Sequence, residues 1–530
     1  MLALTSGAYA TCSPAADNSP NPPPGTTVTC SGATTDQNGT NGYGTGNQTG
    51  IVINVGSGAS VTGSANSGIY IGSATVSNSG SINGATNGVF SEDDVSVTNS
   101  AGASITATTL SGVGSNNGSV TVVNSGTITA NANIGVFGFV NATVTNNAGG
   151  IITGDLGVNS GYSAAADVTN AGNIIGTSYG VIAYGRATVS NNAGGVISGG
   201  ITGVQANQQL KVINAGTITG TTNYGLEVTG DMEVTNAATG TIAGAAAALR
   251  TNSGSITATN YGTISSAAGF AAYANANLTI ANAAGASLSG GIVSNLGFAR
   301  VTNQGTIAGL NNVAIFALTD VNVTNGVGGQ ITSLINNGIY ASNGVATVVN
   351  SGNISVGGFG YAIRAETSAV VTNYAGAQIS GGDTGIRSGL GSVSVTNYGL
   401  ISGVTGNGIY AGTGGSTVFN AGTINGGTAA IQFAGSGNVL TLAPGSVITG
   451  DVLGGGSDTF QLGGSGAATF DVSALDAAAQ YQGFSTFNKV GDSAWTLTGT
   501  GSFTGDIHVN GGALVVNDNI ASANDLDQRF

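Results

Sequence analysis

Three short stretches of the chain hold the residue types from which a catalytic or metal centre is built. Ser91-Glu92-Asp93-Asp94 is the densest acidic cluster, and paired carboxylates of this kind act as general acid and base in glycoside cleavage. Gly491-Asp492-Ser493-Ala494 sets a serine among small residues, the setting of a protease nucleophile, and His508 is the single histidine able to serve it as base. Leu453-Gly454-Gly455-Gly456-Ser457-Asp458-Thr459-Phe460-Gln461 nearly fits the calcium nonapeptide G-G-x-G-x-D-x-U-x, with Leu453 in place of the first glycine.

The elements that must position these groups are marked by a phrase repeated sixteen times: an apolar residue, any residue, Asn, a short gap containing Gly, then Ile or Leu. The asparagines are Asn78, Asn99, Asn124, Asn146, Asn170, Asn191, Asn214, Asn236, Asn260, Asn282, Asn303, Asn325, Asn350, Asn373, Asn397 and Asn420. A period of about 23 residues predicts a solenoid whose units stack into one core. Val76-Ser77-Asn78-Ser79-Gly80-Ser81-Ile82 alternates inward and outward residues as a half-buried strand does. The step from Asn to the next Ile or Leu is four in nine copies and six in seven, never odd. An odd step would turn the apolar residue to solvent. The two step lengths alternate from Asn78 to Asn397, so the repeating unit is a pair of coils.

A second apolar segment, such as Gly88-Val89, Gly338-Ile339-Tyr340 or Gly408-Ile409-Tyr410, follows each Asn by half a coil. Two or three short parallel strands per coil make a parallel β-helix, which leaves open edges only at its ends. The expected fold is therefore all-β, a single-stranded parallel β-helix of about 17–18 coils with N- and C-terminal caps. The asparagines share the inward parity of Val and Ile, where an unpaired amide is costly, so they are expected to bond to one another as a structural ladder across the strand spacing. In the four-step copies, the glycine two residues after Asn is expected to supply a bend at positive φ.

This scaffold weakens the chemical readings. A polysaccharide-cleaving β-helix needs carboxylates on neighbouring coils facing one groove, and the coils of Asn124 and Asn146 offer none near the matching position, which favours a solvated loop for Glu92–Asp94. The Gly491–Ala494 stretch has no globular domain to orient a triad with His508. One calcium nonapeptide makes no site, because calcium rolls share ligands between successive copies. Tyr179, Tyr224, Tyr340 and Tyr410 are expected to be exposed, where they would stack on sugars or simply on each other. No catalytic residue, metal site or cofactor is expected.

Composition bounds the partners. Asp plus Glu total 22 against 8 Lys plus Arg, a net charge of −14, so nucleic acid is excluded for want of a basic stripe. The cations Arg186, Lys211, Arg250, Arg300, Arg364, Arg387, Lys489 and Arg529 read as scattered singly. Five of six prolines lie in the first 24 residues, and both cysteines, Cys12 and Cys30, are nearby. This pattern predicts a cap stapled by a Cys12–Cys30 disulfide, whose loop of about 19 residues is worth on the order of 3 kcal/mol. Met1 to Ala10 reads as the tail of a secretory signal ending Ala8-Tyr9-Ala10, without a basic start. Ser473 to Gln482 is a candidate short helix, and the aromatics Phe460, Phe470, Tyr481, Phe484, Phe487, Trp495 and Phe503 are placed to close the last coil.

The repeat, together with Val439-Leu440-Thr441-Leu442-Ala443-Pro444-Gly445-Ser446-Val447-Ile448-Thr449-Gly450, resembles the pertactin-like passenger domains of autotransporters, the type V secreted proteins of Gram-negative bacteria. Phe487 to Gly499, continued by Gly505, Val509, Gly512 and Leu514, is similar to the autotransporter-associated strand repeat of that family. The resemblance implies a right-handed β-helix, display at the outer membrane and cell surface, and a C-terminal β-barrel translocator as partner. The chain stops at Phe530 without the alternating strands of about ten residues that such a barrel needs, so it reads as a passenger fragment. The domain layout expected is a signal remnant at 1–10, an N-terminal cap with the cysteine pair at 11–50, β-helix repeats at 51–438, and a C-terminal cap with the strand repeat at 439–530. By the same resemblance, the last segment nucleates folding. The function expected is a non-enzymatic surface passenger that adheres to a host or matrix surface or to itself. The alternatives are a secreted carbohydrate-active β-helix enzyme acting on an acidic polysaccharide, and a passive spacer.

Overall fold

The computed structural model describes residues 11–501, 503, 505–517 and 527–528. Met1 to Ala10, read above as a signal remnant, and Arg529 lie outside the described residues. The chain divides into two compact units between Ala267 and Ala268. Each is a stack of coils, and the fold is an all-β parallel solenoid of right-handed type with about 21 turns and almost no helix.

One coil shows the construction. Ala74–Asn78, Ser81–Gly84 and Val89–Ser91 are its three strands, and Val95–Asn99 opens the next coil. The first strands of successive coils pair in parallel and in register, so Val76 lies beside Val97 and Asn78 beside Asn99. Inward residues alternate with outward ones along each strand. Ile82, Ile105 and Ile128 form one inward column and are fully buried. β-Branched residues suit these half-buried pleats, while Gly and Ser fill the corners.

All sixteen asparagines are at most 2% exposed. In the first unit, Asn78 Nδ2 donates to Asn99 Oδ1 at 2.9 Å, and the chain of amides continues without a break to Asn260. In the second unit it runs from Asn282 to Asn420. Every link has the same polarity, each amide donating to the next coil. Each Nδ2 in mid-ladder also donates to turn carbonyls, as Asn124 does to Gly126 O and Ile151 O. Low local dielectric makes such aligned amides mutually reinforcing.

The glycines of the repeat act differently from the expectation. None of the nine that follow Asn by two residues has positive φ. They are required instead because a Cβ at Gly80, Gly126 or Gly172 would strike a backbone carbonyl of the preceding coil. Positive φ belongs to the six-step copies, where Gly102, Gly149, Gly194, Gly285, Gly328 and Gly376 turn the two inserted residues outward at φ of 77 to 81°. In the seventh, Thr239 takes that place and its hydroxyl donates to Ala215 O.

The coil count exceeds 17–18 because the stretches expected as caps are themselves in register with the array. Thr27–Cys30 pairs in parallel with Ile51–Val55, which pairs with Ala74–Asn78. Cys12–Ser13 lies antiparallel on Thr27–Cys30, and a 2.02 Å disulfide joins Cys12 to Cys30. An antiparallel strand of two residues blunts the open edge. At the other end Val439–Leu442, Val452–Leu462, Tyr481–Lys489 and Asp506–Val509 carry the stack onward. Phe460 sits inward there, with ring centroids 4.9 Å from Phe470, 5.1 Å from Tyr481 and 5.6 Å from Phe487. The stretch read as a helix is a single 3₁₀ turn, Val472–Ala474, capped by Asp471. Tyr481 must face this aromatic cluster, which draws the chain into a strand.

Removing one amide from mid-ladder tests how much the stack depends on it. In Asn303→Ala, Asn282 loses its acceptor and Asn325 its donor. Urea unfolding followed by circular dichroism is expected to show a loss of about 2–4 kcal/mol. Asn322→Ala, on the outer face of a neighbouring strand, is expected to cost less than about 0.5 kcal/mol.

Candidate functional site

Two of the three carboxylates of the acidic cluster, those of Glu92 and Asp94, are engaged by the scaffold, while Asp93 is exposed. Val89–Ser91 ends a third strand, and the turn after it holds Glu92, Asp93 and Asp94. Glu92 accepts from Tyr70 Oη on one oxygen and from Asn116 Nδ2 at 2.9 Å on the other. Asp94 Oδ1 accepts from Ser119 N at 2.7 Å, one coil on. The same bond recurs from Asn141 to Ala165 N and from Asp231 to Ser255 N. In the second unit, Asn277 and Asp320 accept likewise from Phe298 N and Val345 N. Asp94 therefore belongs to a set of Asp and Asn side chains that hold the following turn in place. The hydrogen bond to Glu92, then burial, pushes the Tyr70 phenol up to about 12.

The serine and calcium stretches are built into the core of the second unit. Ser493 is fully buried; its Oγ donates to Gly463 O at 2.9 Å and lies 3.2 Å from Trp495 Nε1, which donates to it. His508 lies on a strand paired with Asn488. Asp458 is fully buried and accepts from Asn438 N, Asn438 Nδ2 and Gly455 N. Three amide N–H groups of the scaffold thus engage both of its oxygens. Among the described residues no group of three or more His, Cys, Asp or Glu is gathered as a metal site, and no helix is long and apolar enough to cross a membrane.

Two outward surfaces escaped the sequence reading. In the first unit, Gln209, Lys211, Asp231, Glu233, Ser255 and Thr257 line a groove of about 530 Å³. Lys211 pairs with Glu233 at 3.0 Å across adjacent coils, and Asp231 lies two residues from Glu233 on one strand.

In the second unit, the outward positions of successive third strands form the register column Phe316, Tyr340, Arg364, Arg387 and Tyr410. Arg364 lies 4.8 Å from the Tyr340 ring and 5.5 Å from that of Tyr361. Arg387 lies 5.4 Å from Tyr361 and 4.5 Å from Tyr410. These are cation–π distances. Glu366 accepts from Arg364 Nε at 2.8 Å and from its Nη2. These two arginines correct the reading of the cations as scattered singly: they are one repeat apart, with Tyr340 one repeat before and Tyr410 one after. That spacing was the available signal. Tyr340 and Tyr410 are half-buried within this column. Tyr179 and Tyr224, also half-buried, are separated in register by Thr202.

Residues 202–439 match the family model described as the BigA third pectate lyase-like domain. The match covers the coils that hold both surfaces, and its pectate lyase-like description agrees with the parallel β-solenoid. No curated protein and no solved structure matches the chain significantly.

The Tyr70–Glu92 bond gives a pH signature. Difference titration of the wild type against Tyr70→Phe is expected to place this phenol at about 12, and Glu92→Gln to bring it toward the ordinary value of 10.0. The folded-state value lies above the unfolded one, so the stability this bond contributes is present in full below about pH 10 and is lost as pH rises through about 12. Ultraviolet difference absorbance and thermal unfolding across that window check both points.

Proposed function

We propose that this chain, a parallel β-solenoid with a pectate lyase-like middle, is the surface-displayed passenger of an autotransporter and that its work is attachment. Its partners are a host or matrix surface, or a second cell carrying the same chain, and a β-barrel translocator in the outer membrane. The observation that carries this reading is the fate of the side chains nominated for chemistry. Glu92 and Asp94 brace neighbouring coils, the buried Ser493 hydroxyl is bonded to Gly463 O and Trp495 Nε1, and Asp458 accepts from three amide donors. What the outward columns offer is recognition, through stacked aromatics and arginines. Purified chain is expected to bind cells, matrix proteins or immobilised copies of itself saturably at micromolar concentration. No attachment to any of the three would sink the proposal.

One observation favours a second reading, a carbohydrate-active enzyme: the groove that brings Lys211, Asp231 and Glu233 together. A cation beside two carboxylates suits an acidic polysaccharide and its cleavage. On this reading polygalacturonate would be turned over, and Asp231→Asn or Glu233→Gln would abolish turnover. Wild-type chain that leaves the polymer length unchanged returns the function to attachment.

A further inference from the structure

The second unit carries one surface whose composition differs from the Ser, Thr and Asn coat around it. Its centre is the column Phe316, Tyr340, Arg364, Arg387 and Tyr410. Beside it, in the turns that precede the third strands, Leu334, Ile335 and Phe359 are 62%, 64% and 82% exposed. These turns are neighbours: a Cβ on Gly358 would lie 3.6 Å from the Cα of Ile335. Exposed apolar groups gathered around tyrosine and arginine are the make-up of protein interfaces, where Tyr and Arg anchor and apolar neighbours exclude water.

Arg387 says what the partner must bring. Arg364, one coil away, is neutralised by Glu366. Among the described residues Arg387 has no carboxylate within ion-pair distance. It lies over the rings of Tyr361 and Tyr410, which hold it by cation–π attraction and offer its forked N–H donors no carboxylate, so a planar acceptor suits them. A polyanion is disfavoured as that acceptor, because Arg364 is already paired with Glu366 and a single cation is left on this face to meet its repeated charges. A polyhydroxylated chain would also leave Leu334, Ile335 and Phe359 without apolar contact.

We propose that the face around Arg387 docks a protein segment presenting one carboxylate between apolar side chains. The carboxylate pairs with Arg387, and the apolar groups cover Phe359, Ile335 and Leu334. This deepens the attachment reading and rests on it.

The test pans a phage-displayed library of random peptides on the immobilised full chain, then measures the enriched peptides against variants. Enriched sequences are expected to place Asp or Glu among Leu, Ile, Phe or Trp. Their affinity is expected to fall about tenfold or more in Arg387→Ala and in Phe359→Ser, and by less than about twofold in Lys211→Ala. Arg387→Lys, which keeps the charge without the fork, is expected to resemble Arg387→Ala. Thermal unfolding matched to wild type confirms that each variant is folded, and Phe359 is too exposed for its loss to open the core. Three results would each overturn the proposal: no enrichment, enriched peptides indifferent to Arg387 and Phe359, or a glycan array in which carboxylated sugars bind at Arg387 in place of peptides. Cell attachment run in parallel separates the two claims. Attachment that survives the Arg387→Ala/Phe359→Ser pair removes this face and leaves attachment standing; wild-type chain that never attaches removes both.

Discussion

An amide side chain turned into an apolar core must be bonded through both its oxygen and its nitrogen, or it costs more than the packing around it returns. In this fold the bonds come chiefly from an identical amide one coil away, and that requirement reaches into nearly every other feature. The amides meet at 2.8–2.9 Å only if the strands stack in parallel without slippage. The step from Asn to the following Ile must then be even, and an insertion must come in twos and bulge outward. The coil must also pass so close to its predecessor at the corner that Gly80 and its counterparts admit no Cβ. Register, corner geometry and glycine placement are thus consequences of one polar group repeated at one inward position.

The column does not simply end when the asparagines do. Leu442 and Leu462 continue it as apolar residues, and then Lys489 occupies the same register position, fully buried. Its Nζ donates to Val490 O, Gly491 O and Gly511 O. Asn78 donates likewise to the carbonyl two residues on, Gly80 O, and to one in the next coil, Ser104 O. The lysine therefore satisfies the same kind of turn carbonyls with a longer donor, in a coil that has no amide neighbour to lean on. Burial pushes the Lys489 ammonium pKa down, with Asp492 opposing. The aromatic packing of Phe460, Phe470 and Phe487 supplies the volume that short inward side chains supply elsewhere.

The inward half of this structure was legible in the chain because it is periodic. Parity alone places Asn, Val and Ile inside and predicts that amides pair with amides. The N-terminal stretch was less so: Val28, Cys30, Ile53 and Val55 occupy the inward positions of ordinary coils, but without Asn they do not carry the phrase by which a coil is recognised. The 3₁₀ turn at Val472–Ala474 was misread because Ala-rich composition favours helix locally while Tyr481 is claimed by a distant aromatic cluster, a tertiary demand that overrides propensity. Glu92 and Asp94 look catalytic in one dimension, since their partners Tyr70, Asn116 and Ser119 lie a coil away in sequence.

Outward columns obey a different logic. An inward position that changes breaks the ladder or opens a void, whereas an outward one stacks only on its own kind and on solvent. The fold tolerates Ser, Thr or Asn there, as most of this chain demonstrates. Where an outward column departs from that coat, the scaffold does not account for the departure. Arg364 and Arg387 lie directly beside each other in register, although like charges in that position repel. Glu366 and the three tyrosine rings offset part of that cost, and Phe359 adds an exposed apolar group that the core has no use for. A solenoid held together by its inner columns is free to carry such a combination, because none of these outward side chains is needed to keep the coils in register.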